Sequence, residues 1–169
     1  VHDPADNKPW DFNVPAKRKT AKERLIKEKP YLLVGCPPCT AFSELFSSNI
    51  SRMNPETVRT RIREGVVHFN FCIELYKIQL ASGRYFLHEH PKSAKSWADP
   101  CIQHVEQLPG VKKVHAHMCP FNMRTLCDGQ QELVFKPTTW MSNYKYILHE
   151  LDKQCTNLQS NPKHYHKHA

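Results

Sequence analysis

The stretch Pro30-Tyr31-Leu32-Leu33-Val34-Gly35-Cys36-Pro37-Pro38-Cys39-Thr40-Ala41-Phe42-Ser43 decides how this chain is read. Tyr31 to Val34 is a short apolar run of the kind that makes a buried strand, and it runs into a proline-stiffened turn that presents cysteine. A second stretch, Gly83-Arg84-Tyr85-Phe86-Leu87-His88-Glu89-His90-Pro91, has the same plan. There an apolar strand ends at a carboxylate and is closed by proline. Ligands of open α/β sheets sit at the carboxyl ends of the strands. The two stretches are therefore expected to bring a nucleophile and an acid to one edge.

Working outward, Ala16 to Lys29 carries Ala21, Leu25 and Ile26 at helical spacing and reads as a surface helix leading into the first strand. Asn54 before Pro55 and Glu56 supplies a cap, a proline at the first helical position and an acid in the first turn. The helix that follows is expected to be long, with Val58, Ile62, Val66, Phe69, Ile73, Tyr76 and Leu80 on its buried face and Gly83 ending it. A strand is predicted over Arg84 to Leu87, a helix over Trp97 to Leu108 and a strand over Val111 to His115. Cys119 to Gln131 reads as a loop-like insertion, Leu133 to Phe135 and Thr139 to Ser142 as strand pieces, and Tyr144 to Leu151 as a last helix. Alternating helix and strand predicts an α/β fold with a largely parallel sheet and helices on both faces. There is no internal repeat.

A chain of 169 residues can bury the core of one domain, expected here over residues 1–155. Residues 156–169 are expected to be a His-rich tail, with Asn161 to Ala169 mobile. Seven cysteines, with no signal-peptide pattern and no run of eighteen apolar residues, point away from a disulfide miniprotein or a membrane helix and toward an intracellular setting. The opening is polar, contains proline and lacks an initial Met, and reads as the interior of a longer polypeptide. Lys and Arg number 24 against 16 Asp and Glu, giving a net charge of +8 that favours polyanions, nucleic acid among them.

Taken in order, the motifs resemble the catalytic half of a DNA cytosine-5 methyltransferase. Pro37-Pro38-Cys39-Thr40-Ala41-Phe42-Ser43 is similar to that family's Pro-Pro-Cys-Gln-x-Phe-Ser nucleophile loop, with Thr40 in place of Gln. Leu87-His88-Glu89-His90-Pro91 is similar to its Glu-Asn-Val or Glu-Asn-Pro strand end, with His90 in place of Asn. Cys119-Pro120-Phe121 and Lys136-Pro137-Thr138-Thr139-Trp140-Met141-Ser142-Asn143 resemble segments of phage-type members. A retroelement-encoded branch with Ser-Pro-x-Cys-Thr-Ala-Phe-Ser and His-Glu-His-Pro is the nearest resemblance, over roughly residues 10 to 155.

The resemblance implies a Rossmann-like sheet and methyl transfer from S-adenosylmethionine to a cytosine flipped out of DNA. Cys39 would add to C6 as a thiolate, Glu89 would contact N3, and Lys136, or in its place Arg124, would hold the base carbonyl. Cys36 would take a small-residue position of the turn. The donor side is thin. Five glycines include no Gly-x-Gly turn, so the fold is expected to be incomplete at its N-terminal cofactor half, with Asp3 and Pro37 as the candidate donor contacts. Arg59, Arg61 and Arg63 could hold phosphates beside the loop, or form a solvated face.

Two other readings stay open. One is a non-catalytic nucleic-acid-binding relic of such an enzyme within a retroelement-type polyprotein. The other is a zinc-dependent nucleic-acid enzyme using the His88-Glu89-His90 segment; Cys36 and Cys39 also have ligand spacing, and His115, His117, Cys119 and Cys127 add soft donors. The best zinc candidates are Cys155, His164 and His166. Cys72 and Cys101 lie on predicted helix faces and are expected in the core.

Overall fold

In a computed structural model of the chain, residues 2–4, 6–127, 129–155 and the backbone of 166–168 are described. Helix α1, Pro15–Glu28, starts with proline in its first turn and ends at Lys29 in the left-handed conformation, whose N–H bonds the Leu25 carbonyl. The chain then enters strand β1, Leu32–Gly35. A 3-10 turn, Thr40–Phe42, follows, and Ser43 caps the short helix α2, Glu44–Asn49, by accepting from Phe46 N–H at 3.0 Å. Helix α3, Pro55–Ala81, begins as expected with the Asn54 side chain accepting from Glu56 N–H at 2.8 Å.

Strand β2, Tyr85–Pro91, pairs parallel to β1, with Gly35 opposite His88. Helix α4 covers Pro100–Glu106, and strand β3 covers Lys112–His117. The expected helix over Trp97 to Leu108 is thus divided. Lys95–Ala98 forms a 3-10 turn, and Asp99-Pro100 restarts the chain as a helix capped by Asp99. The region expected to be a loop-like insertion instead contains strand β4, Arg124–Cys127, which pairs antiparallel with strand β5, Gln130–Phe135. Strand β6, Pro137–Ser142, leads to helix α5, Lys145–Leu151, and the three residues of β7, His166–His168, lie parallel to β5.

The fold is mixed α/β. Its main sheet has the order β1-β2-β6-β3, and β6 runs antiparallel to both β2 and β3. This corrects the expectation of a largely parallel sheet: among the described strands of the main sheet only β1 and β2 are parallel neighbours, because β6 inserts between β2 and β3. The second sheet, β4-β5-β7, is small.

Side chains alternate between the faces of a strand. Phe86, His88 and His90 of β2 meet Tyr76 and Phe69 of α3, while Met141 of β6 and Ile102 and Val105 of α4 join the same core. The first turns of α3 do not bury the whole predicted face. Ile62 and Val66 are 40% and 37% exposed, since this part of the helix runs past the sheet and carries the 3-10 turn after β1. Cys72 is half-buried against the core, but Cys101 is exposed, contrary to expectation.

Candidate active site

Parallel pairing of β1 and β2 sets their carboxyl ends level. Gly35 lies opposite His88, so Cys36 and Glu89 each stand one residue further along neighbouring strands. Glu89 alternates away from the α3 face and lies directly across from Trp140 of β6. The segment between β5 and β6 crosses this end and supplies Lys136, whose Nζ is 3.2 Å from Glu89 Oε1. Both partners are partly screened from solvent, with side-chain exposures of 29% for Lys136 and 15% for Glu89. Arg124 bonds instead to Asn122 and to the Gln131 carbonyl. Between the two basic candidates, Lys136 is the one brought to the acid.

Cys39 is half-buried and immediately precedes the 3-10 turn, in which Phe42 N–H bonds the Cys39 carbonyl at 2.9 Å. Three contacts fix this turn. Ser43 Oγ donates to the Thr40 carbonyl at 3.0 Å, Phe42 packs on Phe69 and His90, and Ala41 lies against Gly65 of α3. A β-carbon on Gly65 would meet that of Ala41 at 2.6 Å, so the missing side chain lets the turn sit directly on the helix.

Cys36 is more involved than a small turn residue. Burial pushes its thiol up, the Glu89 carboxylate pushes it the same way, and the Lys136 ammonium opposes both. The thiol thus lies in the field of the acid and base pair. The parallel register carried this signal, since a cysteine directly after β1 has to be level with Glu89.

Below this edge lies a layer of buried polar groups. The Tyr76 hydroxyl is 2.9 Å from His88 Nδ1, and His90 Nδ1 is 2.5 Å from Ser96 Oγ. Burial, reinforced by the neighbouring His90, lowers the His88 pKa to about 3. Burial and then the Lys136 charge lower that of His90 to about 4, while the Pro37 carbonyl facing its ring works the other way. Both imidazoles are neutral, and their Nε2 atoms make no hydrogen bond of good geometry.

Two cavities flank the cysteine turn. The larger, about 600 Å³, is lined by Trp10, Phe12, Leu25, Pro37 and Pro38 among others; the smaller, about 490 Å³, by Asn13, Thr40, Ala41, Arg61 and His68 among others. Pro37 therefore walls a cavity large enough for a small molecule. Asp3 does not line it. The Asp3 side chain is buried and receives a bond from Lys17 Nζ at 2.7 Å. The acid at the larger cavity, Glu28, is paired with Arg24 at 2.9 Å. The larger cavity thus offers a wall for a methyl donor, while its lining carboxylate is already paired; Glu64 lines the smaller cavity. Of the three arginines near the start of α3, Arg61 reaches the smaller cavity, while Arg59 pairs with Glu56 at 2.6 Å.

Among the described residues, no three His, Cys, Asp or Glu side chains come together to hold a metal. Cys155 is buried beside Cys119, and its N–H donates to His117 Nδ1 at 2.8 Å. Burial first, then the bond to Cys155, raises the Cys119 thiol to about 11. His115 bonds Thr139 at 2.8 Å. His164 lies outside the described residues, and for His166 only its backbone place opposite Leu133 is described. No helix among the described residues is long and apolar enough to cross a membrane.

No protein-family model, curated protein or solved structure matches this chain. Function has to be read from the geometry.

Proposed function

We propose that this chain is the catalytic portion of a DNA cytosine-5 methyltransferase-like enzyme with a Rossmann-like sheet. The observation that carries the reading is the meeting of Glu89 and Lys136, 3.2 Å apart, at the strand end level with the cysteine turn. Cytosine C5 is a poor nucleophile until a thiolate adds at C6 and N3 is protonated or strongly hydrogen-bonded. Cys39 supplies the thiolate and Glu89 the N3 contact, while Lys136 shifts from Glu89 to the base carbonyl. The base has to leave the duplex to reach them. The positive charge of the chain and Arg61 beside the turn favour the DNA backbone. S-adenosylmethionine, when bound, supplies the methyl group, and among the candidate donor contacts Pro37 is the one that lines a cavity.

The test separates nucleophile from donor. Addition of a thiolate at C6 makes C5 basic, so C5 takes a solvent proton and, on elimination of the thiol, loses its original hydrogen. Tritium release from DNA carrying 5-tritiocytosine therefore reports the addition without any methyl donor. The wild type is expected to release tritium, Cys39→Ser to release none, and Glu89→Gln to release it roughly 10²–10⁴-fold more slowly. Bound DNA that never exchanges its C5 hydrogen would favour the non-catalytic binding reading.

A further inference from the structure

The opposite end of the main sheet carries four tyrosines that the site does not use. Tyr31 precedes β1, Tyr85 opens β2, and Tyr144 and Tyr146 follow the end of β6. Because β6 is antiparallel to β2, these positions share one edge. The ring centroids of Tyr31 and Tyr85 are 5.0 Å apart, those of Tyr85 and Tyr144 4.4 Å, and those of Tyr144 and Tyr146 5.6 Å. Tyr31 also meets Tyr144 at 5.9 Å, so three rings close a triangle that Tyr146 extends. Two of the four are open to solvent, Tyr31 at 64% and Tyr146 at 62% exposure.

Side-chain hydrogen bonds tie together the ground beneath the rings. Gln79, fully buried, donates from Nε2 to the carbonyls of Pro30 and Tyr85 and accepts from Arg84 Nε at 2.7 Å. Asn143 accepts from Phe86 N–H and donates to the Arg84 carbonyl, both at 3.0 Å. These side chains fasten the ends of α3, β1, β2 and β6 to each other at the base of the rings. Neither Tyr31 nor Tyr146 belongs to the buried core.

Cations flank them. Lys145 Nζ sits 4.9 Å from the Tyr146 ring centroid, and exposed Lys29 ends α1 two residues before Tyr31. The acid nearest Tyr31 in sequence, Glu28, pairs with Arg24, and Glu150 lies one helical turn beyond Tyr146 on α5. Exposed aromatic faces bordered by cations match the bases and phosphates of an unpaired polynucleotide, where each base offers a π-face. A duplex hides those faces, and an apolar protein segment would gain nothing from the lysines.

We propose that Tyr31 and Tyr146, backed by Tyr85 and Tyr144, form a stacking platform for single-stranded nucleic acid, with Lys29 and Lys145 on its phosphates. This does not rest on the methyltransferase reading. Tyr85 and Glu89 are four residues apart on β2, roughly 13 Å at the usual strand rise, and the two sites are at opposite strand ends.

Fluorescence anisotropy with a labelled 20-nucleotide oligothymidine tests it, with a 20-base-pair duplex in parallel. The double variant Tyr31→Ala/Tyr146→Ala is expected to weaken single-strand binding about 5- to 160-fold for each stacked base lost. Tyr31→Phe/Tyr146→Phe keeps the faces and is expected to bind as the wild type does. Lys145→Ala should reduce the slope of log affinity against log salt by about 0.7. Should the double alanine variant lose its fold by circular dichroism, Tyr146→Ala alone carries the comparison. Wild-type affinity in the alanine variants, equal losses in the phenylalanine and alanine variants, or no single-strand binding by the wild type would each overturn the proposal. Tyr31→Ala/Tyr146→Ala is expected to keep the tritium release of the wild type, so loss of stacking and loss of base chemistry are told apart.

Discussion

The hydroxyl of Tyr76 occupies the space into which a side chain at Gly35 would project: a β-carbon there would stand 1.9 Å from the phenol oxygen and 2.8 Å from Cζ. The last residue of β1 and the middle of α3 therefore fit only because one has no side chain. Gly35→Ala is expected to cost about 1–3 kcal/mol through overpacking. In a Tyr76→Phe background the cost should be smaller, since the closest atom is gone. Urea unfolding of the two single variants and the double variant gives the coupling, and strictly additive losses would refute the contact. Tyr76→Phe by itself leaves His88 Nδ1 without its partner, a loss of about 1–3 kcal/mol.

The buried imidazoles make stability fall on acidification. The ordinary histidine value is 6.5, and burial lowers His88 to about 3 and His90 to about 4. The unfolded chain thus binds more protons than the folded one between those limits. The stabilisation is complete above about pH 6.5. It is lost as pH falls through the window down to about 4 for His90 and about 3 for His88. His90→Asn, which removes one titrating group, should flatten the dependence of the urea midpoint between pH 7 and pH 4.5. An unchanged slope would mean that His90 is protonated in the folded protein.

Much of this architecture is legible in local sequence. Asn54-Pro55-Glu56 fixes the start of α3 through a side-chain cap, and the apolar runs around Leu33 and Phe86 mark β1 and β2. Three features are not legible because they depend on distant partners. Strand β6 reads as a short piece, and nothing local says that it inserts antiparallel between β2 and β3. Arg124 to Cys127 alternates weakly and is largely exposed, so its strand shows only through pairing with β5. Ile62 and Val66 keep the helical period yet remain exposed because the sheet ends before them. At the site, motif order pointed to Cys39, Glu89 and Lys136, whereas the place of Cys36 follows from strand register and that of Asp3 from its bond to Lys17.

Cys36 offers a direct readout of the Glu89 and Lys136 pair. Glu89 raises the thiol and Lys136 lowers it, so neutralising each should move its reactivity in opposite directions. Glu89→Gln is expected to speed alkylation of Cys36 by iodoacetamide at pH 8, because more thiolate is present. Lys136→Met should slow it. The folded stability should change by about 1 kcal/mol or less in Lys136→Met, since the pair is partly solvated. Peptide-resolved mass spectrometry measures both rates, and equal shifts in the same direction would show that Cys36 does not feel the pair.

The seating of the cysteine turn on α3 predicts a variant that disturbs Cys39 from a distance. Gly65 faces Ala41, and a β-carbon at position 65 would approach that of Ala41 to 2.6 Å. Both atoms belong to short side chains with no rotamer to turn away, so the backbone of Thr40–Phe42 has to lift. The helix itself gains from alanine by about 0.8–1 kcal/mol of intrinsic propensity, which offsets part of the lost packing. Gly65→Ala should therefore leave the unfolding midpoint nearly unchanged while raising amide exchange over residues 39–43 and altering the alkylation rate of Cys39. The 2.9 Å bond from Phe42 N–H to the Cys39 carbonyl is the one to follow. In Ala41→Gly the same substitution at position 65 meets no methyl group, and exchange over the turn should return toward that of Ala41→Gly alone. Protection that stays at the wild-type level in Gly65→Ala would show that α3 does not seat the turn. Failure of the second variant to restore it would place the disturbance somewhere other than the Ala41 contact.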